Sequence, residues 1–326
     1  MIKSRLRIPL FLAASVLFCV SSAKAQDKVL LRMNLQPGQT FDQGMVMETK
    51  SSQNIQQKRM EMTSTSRFEL HNEVLAVDAD GNIKLKITYQ RLAIKSQGTF
   101  DGKPLPVENY DSKNSSKSKV VSEGSAALTR LVGLSVVETM SPEGKVLHLD
   151  GMDAVVQRIV SGTKNPQQRA IMQKTISHVL ESTSKSSTQT VRFPEAAVGI
   201  GDSWTSVISG QAPIQISMKY TLMSSKNGVA TLAMRSTFFP NPNAPTLDMP
   251  MFKMKNNVSG SLNGVIRVDE KTGLAISSEL HQDMKNVAVI TAAKSTSKSK
   301  PAPPLPSSIT SYTKGVIRSW TVKLPQ

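Results

Sequence analysis

The sequence predicts a mainly β protein with a helical insertion (α+β): two similar, curved, antiparallel β halves packed with a helix pair. Three observations carry that prediction. Apolar and polar residues alternate over short runs, as at Ile83, Leu85, Ile87 and Tyr89, which is the period of a half-buried strand. Turn clusters separate the runs: Asp78–Gly81, Ser141–Gly144, Ser225–Gly228 and Glu270–Gly273, each ending in glycine. Sustained helical spacing is confined to one central stretch, Met152–Leu180.

In chain order, Lys3, Arg5 and Arg7 precede an apolar run from Ile8 to Val20, and Ala23-Lys24-Ala25 supplies a small-x-small site. That pattern is a secretory signal peptide, too short in its apolar part for a membrane span. Its removal takes away Cys19, the one cysteine, so no disulfide or thiolate site is expected. Four of the positive charges lie in the signal, leaving +12 of the formal +16. An exported basic chain suits an anionic envelope surface better than nucleic acid, whose stacking would want aromatics among the basic residues. The destination read from these features is the periplasm or the extracellular space.

Leu30–Leu35 alternates loosely and reads as a strand ended by Pro37-Gly38. Phe41–Arg67 reads as long half-buried strands with a turn near Ser51–Gln57, helix being the alternative for Ile55–Met62. The Asp78–Gly81 hairpin, a proline-bearing loop at Asp101–Lys119 and a second hairpin at Leu131–Leu149 follow. Met152, Val155, Val156, Ile159 and Val160 then make one helix, and Asn165-Pro166 starts a second whose face is Ile171, Met172, Ile176, Val179 and Leu180.

The second half repeats the order. Gly201-Asp202-Ser203-Trp204 stands where Gly38-Gln39-Thr40-Phe41 stood, and two hairpins again flank a proline-bearing loop, Pro240–Pro250. Ala293–Ser308 is a Lys/Ser/Pro spacer, and Val316–Leu324 closes as a strand anchored by Trp320. The divisions are therefore 1–25 (signal peptide), 26–150 (first β half), 151–192 (helical connection), 193–292 (second β half), 293–308 (spacer) and 309–326 (C-terminal strand).

Two segments carry a family resemblance: VGIGDSW at Val198–Trp204 and LNGVIRVDEKTG at Leu262–Gly273. With the L-x-x-G-x-x-F start at Leu35–Phe41, they make the chain resemble an uncharacterised family of exported bacterial proteins over most of Val29–Lys285. The resemblance implies an exported β-rich protein and supplies no catalytic residue. The layout is also similar to lipoprotein-carrier folds, in which a curved sheet holds a hydrophobic cavity around helices.

A search for chemistry nominates structural anchors only: Gly201, Asp202, Trp204, Gly273 and Trp320. His71, His148, His178 and His281 are scattered singly, and Asp78-x-Asp80-Gly81 fails the calcium-loop pattern at position twelve, Tyr89. There is no G-x-S-x-G, no P-loop and no G-x-G-x-x-G. No catalytic residue, cofactor or metal is therefore expected. Sixteen methionines against nine phenylalanines suit an adaptable apolar surface. The leading expectation is a non-enzymatic envelope protein that binds a lipid, another apolar ligand or a lipid-bearing partner. The alternative is an adaptor that grips anionic envelope components through Ser112–Lys119, Lys185 and Lys294–Lys300. A hydrolase with an unrecognised site is the remote third.

Overall fold

The computed structural model describes residues 28–117, 119, 126, 128–163, 166, 169–170, 173, 191–208, 214–242, 246–248, 252–292 and 307–323. The signal peptide and nearly all of the spacer lie outside these residues.

The first half contributes β1 (Thr40–Ile55), β2 (Lys58–Val77), β3 (Ile83–Phe100), the short β4 (Lys103–Pro104) and β5 (Glu108–Asp111), β6 (Ser135–Met140) and β7 (Val146–Asp150). Helix α1 (Met152–Val160) follows. The second half contributes β8 (Ser203–Ile208), β9 (Ile214–Lys226), β10 (Val229–Pro240), β11 (Leu247–Asp248), β12 (Phe252–Asp269), β13 (Ala275–Ala292) and β14 (Ser308–Lys323). These strands form one sheet in the order β7-β6-β3-β2-β1-β14-β13-β12-β10-β9-β8. The halves are thus one continuous surface, joined where β14 pairs β1 on one side and β13 on the other, both antiparallel. Strands that correspond in sequence keep the same spatial order, β7-β6-β3-β2-β1 in one half and β13-β12-β10-β9-β8 in the other.

Local chemistry explains the hairpins. Asn227 and Gly228 take φ of 52° and 73°, the left-handed pair that a two-residue turn between twisted strands requires. At the tip of β1–β2, Gln56 and Gln57 do the same with φ of 49° and 67°. The helix alternative for Ile55–Met62 is therefore overturned. Ile55 faces Lys58 and the ladder runs on from there, so pairing along both long strands outweighs the helical preference of glutamine and methionine.

Three expectations need correction. Leu30–Leu35 is extended but outside the sheet: Val29 bridges Val198, and Met33 and Asn34 N–H donate to Pro142 O and Thr272 O (2.7 and 3.0 Å). The segment crosses one end of the sheet, burying Leu31, Met33 and Leu35, and its backbone is satisfied by turn carbonyls instead of a neighbouring strand. The last strand starts at Ser308, one residue before the 309–326 division but eight before the alternation expected from Val316, because β1 and β13 offer it partners on both sides. The helix pair is not supported. Its first member, α1, is the one whole α-helix among the described residues; of Asn165–Leu180 only residues 166, 169, 170 and 173 are described, each helical.

The core lies against one face of the sheet. Met45 stands opposite Phe68 and Ser319, and Phe41 opposite Asn72; directly opposed residues share a face. On that face, β9, β10 and β12 add Met218, Tyr220, Leu222, Leu232 and Ile266, all buried. Helix α1 buries Val155, Val156, Ile159 and Val160, and its cluster with Val136 and Leu131 packs on Ile87 and Tyr89. Among the described residues, no helix is long and apolar enough to cross a membrane.

Candidate functional site

The sheet bends until its two free edges confront each other. One cavity, about 920 Å³, is walled by Val146 and Leu147 of edge strand β7 and by Trp204–Ile208 of edge strand β8. Arg192, Phe193 and Pro194 run between the edges. A second cavity, about 110 Å³, lies deeper on the core face, lined by Phe68, Leu70, Leu262, Ile266, Leu280 and Ile317 with Val191 beside them. Its polar lining is Gln43, Thr321 and the pair Ser278 and Ser319, whose Oγ atoms are 2.8 Å apart and bonded to each other. At about 110 Å³ it has room for a short stretch of alkyl chain, and its largely apolar lining suits such a guest.

Beside the edge opening sits an unusual set of buried polar groups. Arg192 is 8% exposed, and its Nε and Nη1 have no hydrogen-bond partner among the described residues. Glu138 on β6 is also 8% exposed, and its Oε1 likewise has none among the described residues. Burial pushes the Glu138 carboxyl up to about 7 against the pull of the Arg192 charge. Burial likewise draws Arg192 below its ordinary value, opposed by Tyr220 and Glu138, and pushes the Tyr220 hydroxyl up to about 12. Trp204 stacks on Tyr220 with centroids 5.5 Å apart and planes 21° apart, and its Nε1 donates to Arg192 O at 2.7 Å. The cleft therefore combines an apolar wall with a cation short of partners.

The anchors read from sequence fall in different places. Gly199–Asp202 is a closed turn: Asp202 N–H donates to Gly199 O, and Asp202 Oδ2 accepts from Gly199 N–H at 2.9 Å. Gly201 N–H donates to Leu222 O, and Leu222 N–H to Asp202 O, tying the turn to β9. This turn starts β8 and so sets Trp204 at the edge opening, half-buried.

Gly273 ends the β12–β13 turn, has φ +73°, and packs against the end-crossing segment, where an added Cβ would come 2.2 Å from Arg32 O.

Trp320 is on the face opposite the core. It stands across from Gly44, where an added Cβ would come 2.0 Å from its ring, and the Arg67 guanidinium lies 4.8 Å from the ring centroid. The same face carries a charge network: Glu69 meets Arg67, Arg91 and Lys113 at 2.8–3.0 Å. Burial alone would raise the Glu69 carboxyl, but bonds from Lys113, Arg67 and Arg91 hold it down to about 2. His71, His148 and His281 each pair with an acid, His178 lies outside the described residues, and no group able to hold a metal occurs among the described residues. Of the methionines, Met218 and Met234 are in the core, Met45 lines the inner cavity, and Met223 is exposed. The lysines at Lys185 and Lys294–Lys300 lie outside the described residues.

Sequence reasoning missed Glu138 and Arg192. The signal for Glu138 is its place between Val136 and Met140 on the inward side of β6. For Arg192 it is the apolar flanks Val191 and Phe193, both buried.

Residues 80–275 match a sequence profile described as a family of unknown function (DUF6263). No curated protein matches the chain. Among solved structures, one of lipid–protein interactions in lipovitellin aligns at 10% identity and a TM-score of 0.42, covering 90% of this chain and 26% of that one. This chain thus spans about a quarter of the lipovitellin chain. Pseudomonas aeruginosa OccK7 (OpdD) aligns at 6% identity and a TM-score of 0.23, covering 88% of this chain and 100% of that one.

Proposed function

The chain belongs to DUF6263, a family of unknown function, and we propose that it is a non-enzymatic binding protein holding an apolar or amphiphilic ligand inside its curved sheet. The observation that carries the proposal is the inner cavity, bounded by Phe68, Leu70, Leu262, Ile266, Leu280 and Ile317. Native interiors are close-packed, so space walled by side chains of this kind suits an apolar guest. The opening between β7 and β8 lies beside it, Val191 lining the one and Arg192 the other. Export to the periplasm or beyond is part of the proposal and rests on the charged start, apolar run and Ala23-Lys24-Ala25.

The test is a titration with N-phenyl-1-naphthylamine, a neutral probe that brightens in apolar surroundings. Saturable binding is expected, and Ser278→Leu, which fills the inner cavity, should weaken it at least about tenfold, the worth of roughly two buried methylenes. Equal binding by a folded Ser278→Leu variant would count against the inner cavity. Absence of binding by the parent protein would refute the proposal.

A further inference from the structure

Resting on that reading, we infer that Arg192 is an anion anchor. The opening between β7 and β8 takes the carboxylate or phosphate head of an anionic amphiphile, with the tail directed to the apolar interior. A guanidinium that is 8% exposed, with two nitrogens unpartnered among the described residues, is a rare and costly arrangement. Its planar fork suits carboxylate and phosphate better than a neutral head. Glu138 leaves these two nitrogens unpartnered, and its own Oε1 has no partner among the described residues.

The surrounding cleft fits such a head. At about 920 Å³ it is within the usual range for a small-molecule site. Trp204, Val207 and Phe193 give it apolar walls, and Thr205 and Ser206 add hydroxyls. Of the two acids that line it, Glu143 is engaged by Arg32 Nε at 3.2 Å, and Glu195 is exposed. Arg192 therefore lines a space that is neither fully apolar nor dominated by unpaired acids.

The experiment uses the full chain carrying Trp320→Phe, which leaves Trp204 as the reporting tryptophan. Its emission is followed during titration with dodecanoate, dodecyl phosphate, dodecanol and inorganic phosphate. The two anionic amphiphiles should bind about tenfold or more tightly than dodecanol, the scale of a charge-assisted bond, and inorganic phosphate far more weakly. Arg192→Met should abolish that preference while dodecanol binding persists. Because this change strips Glu138 of its counter-charge, Arg192→Met/Glu138→Gln is measured beside it.

Equal binding of dodecanol and dodecanoate, or a preference surviving in the folded double variant, overturns the Arg192 anchor and leaves the apolar-ligand reading standing. Inorganic phosphate binding as tightly as dodecyl phosphate overturns the amphiphile assignment. Failure of all three twelve-carbon ligands overturns the anchor together with the reading beneath it.

Discussion

Glu138→Gln isolates the cost of a buried carboxylate. In the folded chain this group sits near 7 against an ordinary 4.5, chiefly because burial disfavours its charge. The folded state therefore holds the proton more tightly than the unfolded state. Its stabilising contribution is complete below about pH 4.5 and is lost as pH rises through about 7. At about 1.36 kcal/mol per unit, the loss is about 3 kcal/mol. Glutamine keeps the shape without the charge, so the variant should gain on the parent by about that amount between pH 4.5 and 8.5. Urea unfolding of both proteins across this range gives the difference directly, and the other titrating groups cancel. A difference that stays flat with pH would refute the reasoning.

Other substitutions probe the frame. Gly273→Ala should cost about 3 kcal/mol or more in urea unfolding, because positive φ and a clash with Arg32 backbone act together. Gly201→Ala, with φ +92° and open space around it, should cost only about 1–2 kcal/mol; equal costs would contradict the packing against Arg32. Gly44→Ala should cost about 1–3 kcal/mol through collision with the Trp320 ring, and Trp320→Leu should relieve most of it in a double-mutant cycle. Glu69, held down to about 2, contributes stability that is present above about pH 4.5 and lost as pH falls toward 2. Glu69→Gln should flatten the acid limb of the stability curve, and an unchanged limb would refute that assignment. Trp204→Ala should cost about 3–5 kcal/mol, whereas Trp204→Phe, which keeps the ring stack and loses the bond to Arg192 O, should cost about 1.

What was legible in the sequence was local. Turn chemistry at Asp78–Gly81 and Asn227-Gly228 and the alternation of Ile83, Leu85 and Ile87 are short-range signals, and the strands follow them. Long-range pairing was not legible. Nothing near Ser308 announces a strand, yet β1 and β13 both extend to receive it. Leu31, Met33 and Leu35 alternate as a strand would, but their backbone partners are turns distant in sequence. An aromatic residue on a strand does not declare its face, so Trp320 resembled Trp204 until the register placed it opposite Gly44. Glu138 and Arg192 lie far apart in sequence, and only the bending of the sheet brings their charges together.

The most direct test of the central claim is native mass spectrometry of the protein purified from the cells that make it, followed by solvent extraction. The account predicts a mass above that of the chain, and recovery of an apolar or amphiphilic molecule in the extract. A mass equal to that of the chain alone, with an extract free of such molecules, would contradict it.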